Sequence, residues 1–248
     1  MTLALAACFI AFAQVVRGVT GFGSALVGVP LLTALYGPRT AIFVMAATDL
    51  VGSGPLVWDV RRKLRFVVLA CVLPGLFVGQ YIGTDLLLIL DESTVRMVLG
   101  AVVGVFALQM VWKPVREGAG ELTELPEKPG GILGLGAVAG FLGGLMSGLV
   151  GAGGPPIVIW AKRFFAQAFF RAQLIWIFLF SGASLTAMLW FKGATEEGTP
   201  TLAAMLLIPM LLGNRLGAWL APKVPPVAFG RLVGLILLGT AGMMLLAQ

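Results

Sequence analysis

Long apolar segments separated by short polar loops constrain the fold of this chain more than any other feature. Hydrophobic residues make up 59% of the 248 residues and charged residues only 11%, whereas about a quarter of a soluble domain is charged. A helix needs about 20 apolar residues to cross the hydrocarbon core of a bilayer. The pattern therefore predicts an all-α, polytopic helical membrane protein. Its apolar segments lie at about 1–16, 19–36, 40–58, 66–89, 94–112, 131–149, 154–170, 172–191, 200–221 and 226–247.

The charged residues and cysteines narrow the class of function. The net charge of +6 comes from short basic clusters between apolar segments, a pattern that reports membrane orientation and does not indicate a nucleic-acid partner. Cys8 and Cys71 lie inside apolar segments, and the chain has no histidine. We therefore expect no disulfide, no metal site and no cofactor. The first sixteen residues lack a basic n-region, so we interpret them as part of the mature protein.

A polar stretch divides the chain into a first transmembrane repeat (1–112), a cytoplasmic linker (113–130) and a second transmembrane repeat (131–248). Several residues of the two halves match in the same order, which indicates an internal repeat. The matches are Gly18, Gly21 and Gly23 with Gly148, Gly151 and Gly153; Arg39 with Arg171; Pro74, Gly79 and Gly83 with Pro209, Gly213 and Gly217; and Arg96 with Arg231.

Basic residues in the short loops predict the orientation of the two halves. The loop at 61–65 is the most basic and is placed inside, and alternation then places the linker inside and the loop around Glu196 outside. The loops at 61–65 and Glu196 are counterparts in the repeat, yet they fall on opposite sides. The chain is therefore predicted to contain two inverted-topology repeats, an architecture of many secondary transporters with the substrate near the midplane.

Two glycine-rich turns interrupt the apolar segments, RGVTGFGSALVGVP at 17–30 and SGLVGAGGPP at 147–156. They predict broken or re-entrant helices, because glycine allows positive φ and close approach of a ligand to the backbone. Helices starting near Ser24 and Pro155 would present free N–H groups and partial positive charge, which suit an anion. The alternative is that the glycines only allow close helix packing. Because the motif occurs twice, we favour an anion site.

The predicted substrate-binding residues lie in these turns or next to them. A guanidinium such as Arg17 suits an oxyanion, although Arg17 could instead extend to the inner surface. The predicted set is Arg17, Thr20, Gly21, Phe22, Gly23, Ser24, Ser147, Gly151, Gly153, Gly154 and Pro155.

Further polar residues within apolar segments are candidates for lining the transport path or coupling transport to an ion, since such residues are rare in membranes. Asp49 could pair with an arginine or couple transport to a cation. Arg171 is also explained as an interfacial, positive-inside residue, and Gln80 is expected to join helices by hydrogen bonds. The candidates for lining or coupling are Asp49, Arg171, Gln173 and Asn214.

The glycine motifs resemble those of the TauE/SafE family, the sulfite exporter and sulfonate permease group. The resemblance rests on Gly18-Val-Thr-Gly21-Phe22-Gly23 with Pro30, and on Gly148-Leu-Val-Gly151-Ala-Gly153-Gly154-Pro155-Pro156. It implies a multi-pass permease of the bacterial cytoplasmic membrane that carries sulfur-containing anions such as sulfite, sulfonates or sulfoacetate.

We therefore expect a permease that moves a small sulfur-containing oxyanion by alternating access. Its expected partners are that anion and the lipid bilayer; a coupling ion (proton or sodium) and a homodimer are left open. The alternative is a transporter or channel for another small organic or inorganic anion. An intramembrane enzyme needs a nucleophile with a base, paired acids or metal ligands, and Asp49 is nearly alone among the carboxylates at depth. We therefore predict no catalytic residue.

Overall fold

The computed structural model describes residues 1–20, 23–112, 122 and 130–246 of the chain. In these residues the structure is helical and contains no strand, which confirms the predicted all-α fold. Its helices are α1 (Thr2–Thr20), α2 (Ser24–Val60), α3 (Phe66–Ile89), α4 (Glu92–Trp112), α5 (Gly130–Val150), α6 (Gly154–Phe164), α7 (Gln167–Phe191), α8 (Thr199–Met205), α9 (Leu207–Leu220) and α10 (Pro226–Leu246).

Several of these helices are long and apolar enough to cross a membrane. Within the described ranges there are 6 of them, namely α1, α2, α3, α4, α5 and α7. Helices α8 and α9 together add one more candidate, although they are bent by 41° relative to each other. The chain is therefore a multi-pass membrane protein.

The unbroken helical segment that directly follows each glycine turn is shorter than the bilayer core. Gly37, at φ 78 and ψ 165, breaks α2 into 24–36 and 38–60, and its positive φ favours glycine. Helix α6 has only 11 residues, because the chain becomes extended at Phe165 and does not stay helical to residue 170 as the apolar pattern suggested. At 1.5 Å per residue, the segment 24–36 and helix α6 each span less than about 20 Å, against a core of about 30 Å.

Each glycine turn joins two helices that fold back on each other. In the first hairpin, a Cβ added to Gly28 would lie 3.3 Å from Cβ of Ala13. In the second, the indole N–H of Trp160 donates to the carbonyl oxygen of Ile132 at 2.9 Å. In this second hairpin a Cβ added to Gly143 would lie 2.8 Å from the side chain of Ile157, and one added to Gly136 would lie 2.7 Å from that of Trp160. The contacts thus move away from the turn along both helices, as expected for an antiparallel pair.

The first helix of each hairpin packs against the other half of the chain, α5 on α3 and α1 on α9. The approach is so close that backbone meets backbone. A Cβ added to Gly18 would lie 2.6 Å from Cα of Gly217, and one added to Gly148 would lie 2.9 Å from the carbonyl carbon of Gly83. Gly18 matches Gly148 and Gly83 matches Gly217 in the repeat, so equivalent positions make equivalent contacts. The inverted orientation of the halves stays a prediction.

One described residue of the linker contacts the second hairpin. The backbone N–H of Leu122 donates to the carbonyl oxygen of Phe164 at 3.2 Å, and the N–H of Ala166 donates to Leu122 at 2.9 Å. Leu122 therefore lies beside the corner between α6 and α7. This corner also carries Lys162 and Arg163, in keeping with the expected placement of both loops on one side.

We predict that Gly144→Ala destabilises the protein while Gly134→Ala does not. A Cβ at Gly144 would overlap the carbonyl oxygen of Leu76, so α3 and α5 would have to separate, whereas Gly134 on the same helix has nothing within 4 Å. Overpacking of this kind costs about 1–3 kcal/mol. Thermal unfolding of the purified variants in detergent measures the difference, and equal stability of the two variants would contradict the backbone contact.

Candidate functional site

The two glycine turns meet at one cavity with a volume of about 80 Å³. The start of α2 forms one side and the second glycine turn forms another. A single buried water needs about 10–15 Å³, so the cavity has room for several waters or one small ion. Its lining comprises Arg17, Gly23, Ser24, Ala25, Leu26, Ala46, Asp49, Ser147, Gly151, Ala152, Gly153, Gly154, Pro155, Phe178, Ser181, Gly182 and Leu185.

Two helices begin at this cavity. Gly23, with φ 92, and Gly151, with φ 72, turn the chain through left-handed conformations that favour glycine. The first N–H groups of a helix have no partner within it, and they carry partial positive charge. In α2 these groups include the N–H of Ser24. In α6 the two residues after Gly154 are prolines, which lack an N–H, so the glycines supply the backbone donors there.

A buried ion pair forms the charged side of the cavity. Nη1 of Arg17 donates to Oδ1 of Asp49 at 2.9 Å. Nη2 of the same arginine donates to the hydroxyl of Ser53 at 2.6 Å. Asp49 also accepts from the amide of Gln14 and from the hydroxyl of Ser24, each at 2.8 Å. Because both charges are paired and hydrogen-bonded, the pair is tolerated at this depth. Arg17 is only 7% exposed, so it pairs with Asp49 and does not extend to the inner surface.

A neutral polar cluster forms the other side. Gln80 is fully buried, and its Nε2 donates to the hydroxyl oxygens of Ser147 at 3.1 Å and Ser181 at 2.8 Å. Its Oε1 accepts from the hydroxyl of Ser184. Gln80 thus joins α3 to α5 and α7 by hydrogen bonds, as expected from the sequence.

The structure brings most of the predicted site residues together. Gly21 and Phe22 lie outside the described residues, as do the side chains of Thr20 and Arg171. The predicted residues that line the cavity are Arg17, Gly23, Ser24, Asp49, Ser147, Gly151, Gly153, Gly154 and Pro155.

Two predicted lining residues lie elsewhere. Gln173 accepts a hydrogen bond from the backbone N–H of Arg65 at 3.1 Å. It precedes Ser181 on α7 by more than two turns, or about 12 Å along the helix axis, which explains why it misses the cavity. Asn214 lies near Arg17 but does not line the cavity. A Cβ added to Gly52 would lie 3.5 Å from Nη1 of Arg17 and 3.8 Å from Nδ2 of Asn214.

Sequence reasoning missed several residues of the site, above all Ser181. The repeat contained the signal, because Asp49 and Ser181 each lie ten residues after the matched arginines Arg39 and Arg171. Gln14 was also missed, although it lies one helical turn before Arg17 on α1 and therefore shares its face.

Comparison with known proteins finds one family and one curated relative. A family profile described as "Sulfite exporter TauE/SafE" matches residues 5–244. One curated relative, described as "Probable sulfite/organosulfonate exporter TauE" of Cupriavidus necator, is 26% identical over 231 residues, covering 88% of this chain and 85% of the relative. No solved structure matches the chain. With its paired glycine turns and nearly its whole length matched by the profile, this chain belongs to the sulfite exporter TauE/SafE family of membrane transporters.

Proposed function

We propose that this protein is a permease that moves a small sulfur-containing oxyanion across the membrane by alternating access, with the anion held between the two glycine turns. The observation that carries the proposal is the convergence of two helix N-termini and Arg17 on one cavity of about 80 Å³. The sulfur-containing substrate class rests on the family and on the name of the Cupriavidus relative, a probable sulfite/organosulfonate exporter.

The polar groups at the cavity suit an anion. The helix N-termini supply N–H donors and partial positive charge. The carboxylate of Asp49 is balanced by Arg17 at 2.9 Å, so the cavity wall does not present an uncompensated negative charge there. A guanidinium carries five N–H donors, and its described partners are Asp49 and Ser53. Arg17 therefore has donors left for a substrate oxygen without breaking the ion pair.

The broken helices suit alternating access. The cavity lies where α2 and α6 begin, so a shift of either hairpin would change which side of the membrane the cavity opens to. The first helix of each hairpin packs on one helix of the other half, α1 on α9 and α5 on α3, through glycines, so few interlocking side chains at these two contacts oppose such a shift. A coupling cation, proton or sodium, would drive uphill transport, and Asp49 is the carboxylate at the cavity that could respond to it.

The first prediction concerns the substrate class. We expect the purified protein to be stabilised against heat by sulfite, thiosulfate or sulfoacetate more than by acetate. A ligand at 100 times its dissociation constant adds about 2.7 kcal/mol to stability, which a thermal-shift assay resolves. Stabilisation by acetate alone would contradict the sulfur-anion assignment. In proteoliposomes, saturable counterflow is expected, and its absence with linear flux would favour the alternative of a channel.

The second prediction concerns Arg17. Arg17→Gln alone leaves Asp49 buried and uncompensated, which costs about 3–5 kcal/mol. The double variant Arg17→Gln/Asp49→Asn removes both charges, so it is expected to fold and yet to lose anion transport by tenfold or more in proteoliposomes.

A matched control removes an ion pair away from the cavity. Nζ of Lys192 lies 2.7 Å from Oδ1 of Asp85, and neither residue lines the cavity. Lys192→Gln/Asp85→Asn is therefore expected to keep transport. Full transport by the Arg17/Asp49 double variant would show that its ion pair is only structural.

A further inference from the structure

The neutral cluster beside the cavity has an ordered pattern of donors and acceptors. Ser147 is 4% exposed and Ser181 is 9% exposed, and both line the cavity. Each hydroxyl oxygen accepts a hydrogen bond from Nε2 of Gln80, at 3.1 and 2.8 Å respectively. One amide group therefore holds two buried hydroxyls that belong to different helices, α5 and α7.

The orientation of this amide follows from its neighbours. Nε2 of Gln80 lies 3.0 Å from the backbone carbonyl oxygen of Ser181. A carbonyl oxygen can only accept, so the nitrogen, and not the oxygen, of the amide must face it. The oxygen of the amide is turned the other way and accepts from Ser184. Nε2 has two hydrogens, so one points to the hydroxyl of Ser147 and the other is shared between the carbonyl and hydroxyl oxygens of Ser181. Gln80 consequently acts as a donor toward both cavity serines.

Because their oxygens already accept, Ser147 and Ser181 each keep one hydroxyl proton for another partner. Among the described residues, neither hydroxyl donates to a protein acceptor. The hydroxyl of Ser24 on the charged side differs, since it donates to Oδ2 of Asp49 at 2.8 Å. Among the described lining residues, the available hydroxyl protons thus come from the second half of the chain.

The geometry points to a subsite at which the hydroxyls of Ser147 and Ser181 donate to oxygens of the transported oxyanion, with Gln80 as the positioning residue that fixes both hydroxyls. The inference rests on the proposed function and specifies how the substrate is recognised. The anion is held by Arg17, by backbone N–H groups of both turns, and by the neutral hydroxyl donors of Ser147 and Ser181.

The register of the repeat supports this division. In that register Ser147 takes the place of Arg17, Ser181 that of Asp49, and Gln80 that of Asn214. Where one half carries an ion pair, the other carries two hydroxyls. The site therefore gains hydrogen-bond donors from its second half without gaining a second buried charge, which would be costly at this depth.

The test measures sulfite affinity of the purified full chain by isothermal titration calorimetry. Ser147→Ala and Ser181→Ala are each expected to weaken sulfite binding by roughly tenfold or more, since a hydrogen bond to a charged acceptor is worth that much. Thr84→Val is the control: Thr84 is buried one turn beyond Gln80 and donates to its carbonyl oxygen at 2.7 Å but does not line the cavity. Its sulfite affinity should equal that of the wild type.

A double-mutant cycle separates positioning from structural support. Gln80→Leu should weaken sulfite binding in the wild-type background and have no further effect in Ser147→Ala/Ser181→Ala, because it acts through those hydroxyls. If Gln80→Leu does not fold, Gln80→Asn replaces it, since it keeps an amide but withdraws the nitrogen from both serines. An equal loss in both backgrounds would overturn the positioning role.

The outcomes distinguish this inference from the proposed function. If Ser147→Ala/Ser181→Ala binds sulfite as tightly as the wild type, while Arg17→Gln/Asp49→Asn does not bind it, the hydroxyl subsite is wrong and the anion permease stands. If the wild type binds none of sulfite, thiosulfate or sulfoacetate, both are overturned.

Discussion

A bilayer core contains no water, so every backbone N–H and carbonyl within it must find a partner in the protein or face a polar cavity. The two glycine turns lie between apolar helices, and each leaves the first N–H groups of a helix without an intrahelical partner. The protein meets the requirement by placing both turns at one cavity. The hairpins, the half-length helices and the polar clusters all lie around this cavity.

The two sides of the cavity satisfy their buried polar groups in different ways, one with an ion pair and the other with neutral hydrogen bonds. On one side Asp49 accepts from Arg17, Gln14 and Ser24, so most of the hydrogen-bonding capacity of this carboxylate is used within the protein. On the other side Gln80 donates to two serines and leaves their protons available. A substrate anion would therefore meet a preorganised set of donors, so that little side-chain rearrangement accompanies its binding.

The features that the sequence predicts well are those encoded locally. Glycine-rich turns, prolines after a turn and the lengths of apolar segments can be recognised in short stretches of sequence. These features were enough to locate both turns, the interrupted helices and Arg17 beside the first turn. The helix ends were less accurate: α6 stops at Phe164, since apolar composition does not reveal an extended residue. Side-chain partners were the hardest, because Ser147, Ser181 and Gln80 meet only where three separate helices cross. Gln173 lies away from the cavity for the same reason, since its position depends on how far α7 extends past the turns.

The exchange of helix contacts between the halves has a consequence for how the chain can assemble. Helix α1 uses α9 as its packing surface and α5 uses α3, so each half leaves its own hairpin without the helix it needs. The repeat is therefore a unit of sequence similarity but not a unit of folding. A ribosome that has completed only the first half has made a hairpin whose main partner, α9, is still to be synthesised. The first glycine turn thus reaches its final environment only after nearly the whole chain has entered the membrane, and the cavity is among the last parts of the protein to form.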